Sequence, residues 1–126
     1  MRIAQEQYLL IVDDMRFICQ LLAEALSIEG LTVKTSLSGK QAIDMMRSQT
    51  PALIIIDQVM PGMDGLQTLR EAQELIVGVP VIMISGYPEE QQEVLEARKR
   101  GLIRHYITKP FDIPYLLQVV EEILPA

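Results

Sequence analysis

A chain of 126 residues that is 49% hydrophobic is long enough to bury one core and too short for two ordinary domains. Its formal net charge of −6 argues against a direct nucleic-acid interface, which takes clustered lysine and arginine. Cys19 is its single cysteine, which excludes an internal disulfide and a cysteine-rich zinc site and suits a reducing compartment. No apolar stretch approaches the roughly 20 residues of a membrane span, and Met1 to Gln7 lacks the apolar segment of a signal peptide. The expectation is a cytoplasmic protein without membrane contact, one domain over 1–126 with its core from about 8 to 124.

Leu9-Leu10-Ile11-Val12 is a continuous apolar run that predicts a buried first strand ending at Asp13-Asp14. Phe17, Ile18, Leu21, Leu22, Ala25 and Leu26 then recur at helical spacing up to Gly30, a residue suited to follow a helix end. Leu31 to Ser36 predicts a second strand. Ser38 can cap a helix through Ala42, Ile43, Met45 and Met46, which Pro51 bars from continuing. The run Ala52 to Ile56 is a third strand, ending at Asp57. A proline and two glycines within Val59-Met60-Pro61-Gly62-Met63-Asp64-Gly65 predict a tight loop before a helix from Leu66 to about Glu74. Val79 to Ile84 is a fourth strand, ending at Ser85. Pro88 suits the opening of a helix through Val94, Leu95 and Ala97 that Gly101 closes. Ile103 to Thr108 is the fifth strand, ending at Lys109, and Ile113 to Leu124 the last helix. The alternation predicts an α/β fold, (βα)5, a doubly wound five-stranded parallel sheet whose strands are too apolar to have a wet face.

Asp13-Asp14, Asp57, Ser85 and Lys109 each stand where a strand ends, the edge at which an open parallel sheet carries its chemistry. Three carboxylates gathered there repel one another unless a cation is shared, and oxygen ligands at this density suit Mg2+. Taken alone, Asp13 and Asp14 also suit a helix cap and Asp57 a strand-end turn. Together they suit phosphoryl chemistry: a carboxylate beside Mg2+ can attack phosphorus and form an acyl phosphate. Lys109 would then neutralise phosphoryl oxygens and Ser85 donate a hydrogen bond to one of them.

Asp13-Asp14, Asp57 followed by Met60-Pro61-Gly62-Met63-Asp64-Gly65, Ser85-Gly86 and Lys109-Pro110-Phe111 resemble the receiver domain of bacterial two-component response regulators, over about Tyr8 to Leu124. The resemblance implies a flavodoxin-like sheet of order 2-1-3-4-5. It implies that Asp57 receives a phosphoryl group from a histidine kinase or phosphotransfer protein, without turnover of a metabolite. Asp14, Asp57 and the Val59 carbonyl would hold Mg2+, with Asp13 acting through water. Ser85, Gly86 and Lys109 would bind the phosphoryl group, and Lys109-Pro110 would be a cis peptide. Ser85 and Tyr106 match the switch positions, while Val59 and Tyr87 match those that border the attacking water and set the lifetime. The surface of helix 4, strand 5 and helix 5 would meet an effector domain or a second copy.

Ser85 and Gly86 stand where threonine and alanine are frequent, and Ser85 keeps the hydroxyl. A haloacid-dehalogenase-type phosphatase also uses a strand-end aspartate, lysine and Mg2+, but wants a second acid two positions after its nucleophile, where Val59 stands. A receiver-like module that no longer takes phosphate is a further alternative, against which the intact acids, Ser85 and Lys109 speak. Ser38-Gly39-Lys40 is no phosphate-binding loop, since Lys34 occupies the place of its first glycine. His105 has no second histidine with which to build a metal set, Met45, Met46, Met60 and Met63 suit packing, and Cys19 suits an apolar helix face. Glu89-Glu90 and Arg98-Lys99-Arg100 read as solvated helix faces.

Overall fold

A computed structural model of the chain describes residues 1–4, 6–87 and 91–124. Among these, strands and helices alternate strictly: β1 (Leu9–Val12), α1 (Arg16–Ile28), β2 (Val33–Ser36), α2 (Gly39–Ser48), β3 (Leu53–Asp57), α3 (Gly65–Glu71), β4 (Val81–Ser85), α4 (Gln92–Lys99), β5 (His105–Thr108) and α5 (Ile113–Ile123). All four strand pairings are parallel, in the order β2-β1-β3-β4-β5. After β2 the chain crosses back to the other side of β1, so a crevice opens between the carboxyl ends of β1 and β3.

Side chains alternate across the sheet and fill two apolar layers. Leu10, Val12, Ile54, Ile56 and Met83 pack with Met46 of α2, Leu69 of α3 and Val94 of α4. Leu9, Ile11, Leu53, Ile55 and Ile84 pack with Leu22 and Leu26 of α1 and Leu116 and Val120 of α5. Burial on both faces explains the unbroken apolar runs of β1, β3 and β4, while β2 corrects the expectation that no strand has a wet face: it lies at the edge of the sheet with Lys34 and Thr35 exposed. Cys19, Met46 and Met60 are buried in these layers, as their composition suggests, and Met45 and Met63 pack against them.

The ends of the elements follow local hydrogen bonding. Ser38 Oγ accepts the Gln41 N–H at 3.1 Å and opens α2, as its sequence position implies. Asp64 and Asp112 cap α3 and α5 in the same way. The strand expected from Val79 begins at Val81, because Pro80 has no N–H to donate. The helix expected to reach Glu74 ends at Glu71, and Gln73 and Leu75 turn back to Arg70 and Ala72 with three-residue spacing. Pro88 and the Glu89-Glu90 pair lie outside the described residues. Phe17 and Leu21 correct the expected buried stripe of α1: they are 68% and 41% exposed, and the inward face is Cys19, Leu22 and Leu26.

Candidate functional site

The main chain brings the sequence-marked residues to one edge. Asp13 continues β1, its N–H donating to the Ser36 carbonyl at 3.0 Å. Asp57 ends β3 opposite Ile84, and Ser85 ends β4 opposite Thr108, the residue before Lys109. Asp13, Asp14 and Asp57 each direct a carboxylate oxygen into a cluster within 4.8 Å, with Asp13 and Asp57 buried and Asp14 exposed. Lys109 Nζ lies 3.2 Å from Asp57 Oδ1, and the Lys109-Pro110 peptide is cis. That ion-pair contact apart, Asp57 Oδ1 is buried and receives no hydrogen bond.

Helix capping by the aspartate pair, the simpler alternative, is not how α1 starts. Its N-cap is Met15 with no side-chain cap. Asp13 Oδ1 instead accepts the Met15 N–H at 2.9 Å, which fixes the carboxylate and leaves its other oxygen free to face the cluster. Burial pushes the Asp13 carboxyl above its ordinary range, against the Met15 N–H and with the charge of Asp57 adding to the rise. Burial raises Asp57 as well, opposed by the Lys109 ammonium. Two buried acids raised above their ordinary values, a third beside them and a buried oxygen with no donor besides Lys109 form a site that suits a hard divalent cation.

A second set of contacts runs from Ser85. Its Oγ accepts the Tyr87 N–H at 3.1 Å, so the hydroxyl proton remains available to another acceptor. The Tyr87 carbonyl in turn accepts the Tyr106 hydroxyl at 2.6 Å. Tyr106 is turned inward and buried, packed in the layer of α2, α3 and α4. The backbone of one residue, Tyr87, therefore joins Ser85 to Tyr106. The side chains of Val59 and Tyr87 stand exposed. His105 takes no part; its Nε2 lies 3.4 Å from the Tyr115 hydroxyl on the surface.

Two residues position the site in ways that the sequence alone did not show. Gln58 clamps the loop after Asp57: its side-chain oxygen accepts the Leu66 N–H at 2.7 Å and its carbonyl the Gly65 N–H at 2.9 Å. Gly65 was legible only as a loop glycine. A Cβ there would stand 2.6 Å from the Asp57 carbonyl oxygen and 3.0 Å from Gln58 Cα, so only glycine lets α3 start this close to the end of β3. Cys19 Sγ donates to the Asp13 carbonyl at 3.3 Å, and burial pushes its thiol up to about 11.

Comparison with known proteins agrees with this geometry. The family model for the response regulator receiver domain matches residues 9–121. Sporulation initiation phosphotransferase F of Bacillus subtilis is 33% identical over 117 residues, which cover 93% of each chain. A CheY-like receiver domain protein from Methanospirillum hungatei superposes with a TM-score of 0.85 at 27% identity, covering 94% of this chain and 93% of that one. The response regulator TrrA of Thermotoga maritima, solved in complex with Mg2+ and BeF, gives 0.80 at 27% identity and covers 93% and 98%. The chain spans only 23 to 26% of several longer transcriptional regulators that it also matches. Receiver domains are signalling domains that bind Mg2+ at an acidic site and interact with histidine kinases or phosphotransfer proteins. With its acidic pocket of Asp13, Asp14 and Asp57 at the edge where that family accepts a phosphoryl group, this chain belongs to the response regulator receiver domains of two-component signalling.

Proposed function

We infer that Asp57 is the phosphoacceptor of this receiver domain. The observation that carries the reading is the buried Asp57 Oδ1, 3.2 Å from the Lys109 ammonium and with no other donor, beside two further carboxylates. A carboxylate oxygen of Asp57 attacks phosphorus; the new O–P bond forms as the bond from phosphorus to the donor's histidine nitrogen breaks, and its electron pair returns to the ring. Lys109 neutralises the arriving phosphoryl oxygens. Ser85, whose oxygen already accepts the Tyr87 N–H, spends its own proton on one of them. The exposed Gly86 leaves the approach open. Asp14, Asp57 and the Val59 carbonyl are the proposed Mg2+ ligands, with Asp13 acting through water. When bound, the ion offsets the mutual repulsion of the acids and of the phosphoryl oxygens.

Met15 and Phe17 at the start of α1 and Leu21 on its second turn are exposed apolar side chains that follow Asp14 in the chain. They favour docking of a histidine kinase or phosphotransfer protein over that edge. The chain's own chemistry ends with slow hydrolysis of its acyl phosphate. The output passes through α4, β5 and α5 to an effector domain or a second copy, in the cytoplasm.

Incubation with Mg2+ and a small acyl-phosphate donor should add one phosphoryl mass to the intact protein. Asp57→Asn should take none. Undiminished labelling in that variant, or full labelling of the native protein in excess chelator, would refute the assignment.

A further inference from the structure

At the end of the sheet away from the acids, a groove of about 390 Å3 runs between α3 and α4. Gly101, at φ +83°, stops α4 with paired bonds from the Gly101 N–H to the Arg98 carbonyl and from the Leu102 N–H to the Ala97 carbonyl. The turn folds the chain back, so that Arg100 at the end of α4 and Arg104 ahead of β5 flank the groove that Arg70 of α3 closes from the opposite wall. Its apolar lining includes Ile76, Ala97 and Leu102.

Three guanidiniums against one acid, Glu96, form this lining in a chain whose net charge is −6. Arg70 reaches Glu93 at 4.0 Å, a solvent-exposed pair of little strength. Among the described residues, the side chains of Arg100 and Arg104 make no ion pair or hydrogen bond. Planar guanidinium forks suit carboxylates held two-pronged. No aromatic side chain lines the groove on which a base could stack, which disfavours a nucleotide. A separate hollow that shares Glu96 is lined also by Asp64 and Glu93, so an acidic strand that continued into it would meet like charge.

We propose that the groove framed by Arg70, Arg100 and Arg104 docks a short acidic peptide segment of a partner protein, with aliphatic side chains on the apolar lining and carboxylates on the arginines. The surface is separate from the acidic edge and does not depend on Asp57 being the phosphoacceptor.

The probe is a fluorescent, end-blocked peptide of alternating glutamate and leucine, followed by anisotropy up to millimolar protein and by amide chemical shifts. Binding should weaken with salt and fall about tenfold in the Arg100→Gln/Arg104→Gln double variant. Both positions are exposed, so the fold should survive, as circular dichroism would verify. Shifts should centre on Ala97, Leu102 and Arg104, and the glutamine–leucine peptide should not bind. No binding at millimolar protein would overturn the proposal. So would an equal loss in Lys40→Glu, a basic position on α2, shifts centred elsewhere, or tighter binding of a nucleoside triphosphate at the same arginines.

Discussion

Asp13 bears on both stability and chemistry. A carboxyl whose folded pKa lies above its ordinary 3.8 binds its proton more tightly in the folded chain than in the unfolded one. Protonation therefore favours the fold as pH drops from that raised value toward 3.8, and above the window the charged group opposes folding in full. Asp13→Asn keeps an acceptor for the Met15 N–H and removes the charge. We expect it to raise stability by about 1 kcal/mol at neutral pH, roughly 4 °C in thermal midpoint, a gain that shrinks as pH falls through the window. Thermal melts of both proteins across pH measure this directly; a gain independent of pH would mean that charge is not its source. Val59 and Tyr87 are the positions proposed to set the lifetime. Neither an isopropyl group nor a phenol ring at these exposed positions can hold a water in line with phosphorus as a short amide or carboxylate does. Val59→Asn with Tyr87→Glu should speed the decay of the labelled mass once donor is removed, and unchanged decay would place the clock elsewhere.

At the scale of elements, the decisive contact is the start of α3 against the end of β3. Gly65→Ala must push a methyl group into the Asp57 carbonyl, at an expected cost of about 1–3 kcal/mol. Because the displaced atom belongs to the backbone of Asp57, the proposed acceptor, phosphoryl labelling should slow as well, which paired denaturation and labelling rates would register. Ser38→Ala removes only the α2 cap and should cost about 1 kcal/mol with labelling intact. These two positions also mark what sequence can tell. Ser38 was readable because capping is local, a hydroxyl three residues before the N–H it serves. Strands β1, β3 and β4 and the acidic edge were readable for a related reason: continuous apolar runs mean two-sided burial, and a polar residue ending each run means the sheet edge, whereas β2 is no such run and lies largely exposed. The role of Gly65 depends on a carbonyl eight residues earlier, and the clamp by Gln58 on where α3 lands, so neither left a local pattern. Phe17 and Leu21 fit the helical period but not the direction of the core, because apolar spacing cannot say which of two adjacent stripes turns inward.

For the whole molecule, the acidic edge makes stability a function of divalent cation. A ligand that binds only the folded form raises stability by mass action, about 1.4 kcal/mol at ten times its dissociation constant. Melts in rising Mg2+ should therefore climb in the native protein and stay flat in Asp14→Ala; a parallel climb in the variant would move the cation away from this cluster.

The sheet itself divides the molecule as a wall divides two rooms. Asp13 and Asp57 follow Val12 and Ile56, which face α2, α3 and α4, so alternation assigns both acids to the room of α1 and α5. Ser85, two residues past Met83, belongs to the opposite room, where Tyr106 is buried and tied to it through the backbone of Tyr87. A message written by a donor on one side would thus be displayed on the other, with Ser85 as the proposed doorway. Ser85→Ala should still take the phosphoryl mass, while amide hydrogen exchange in α4 and β5 ceases to respond to it: the letter is delivered and never read.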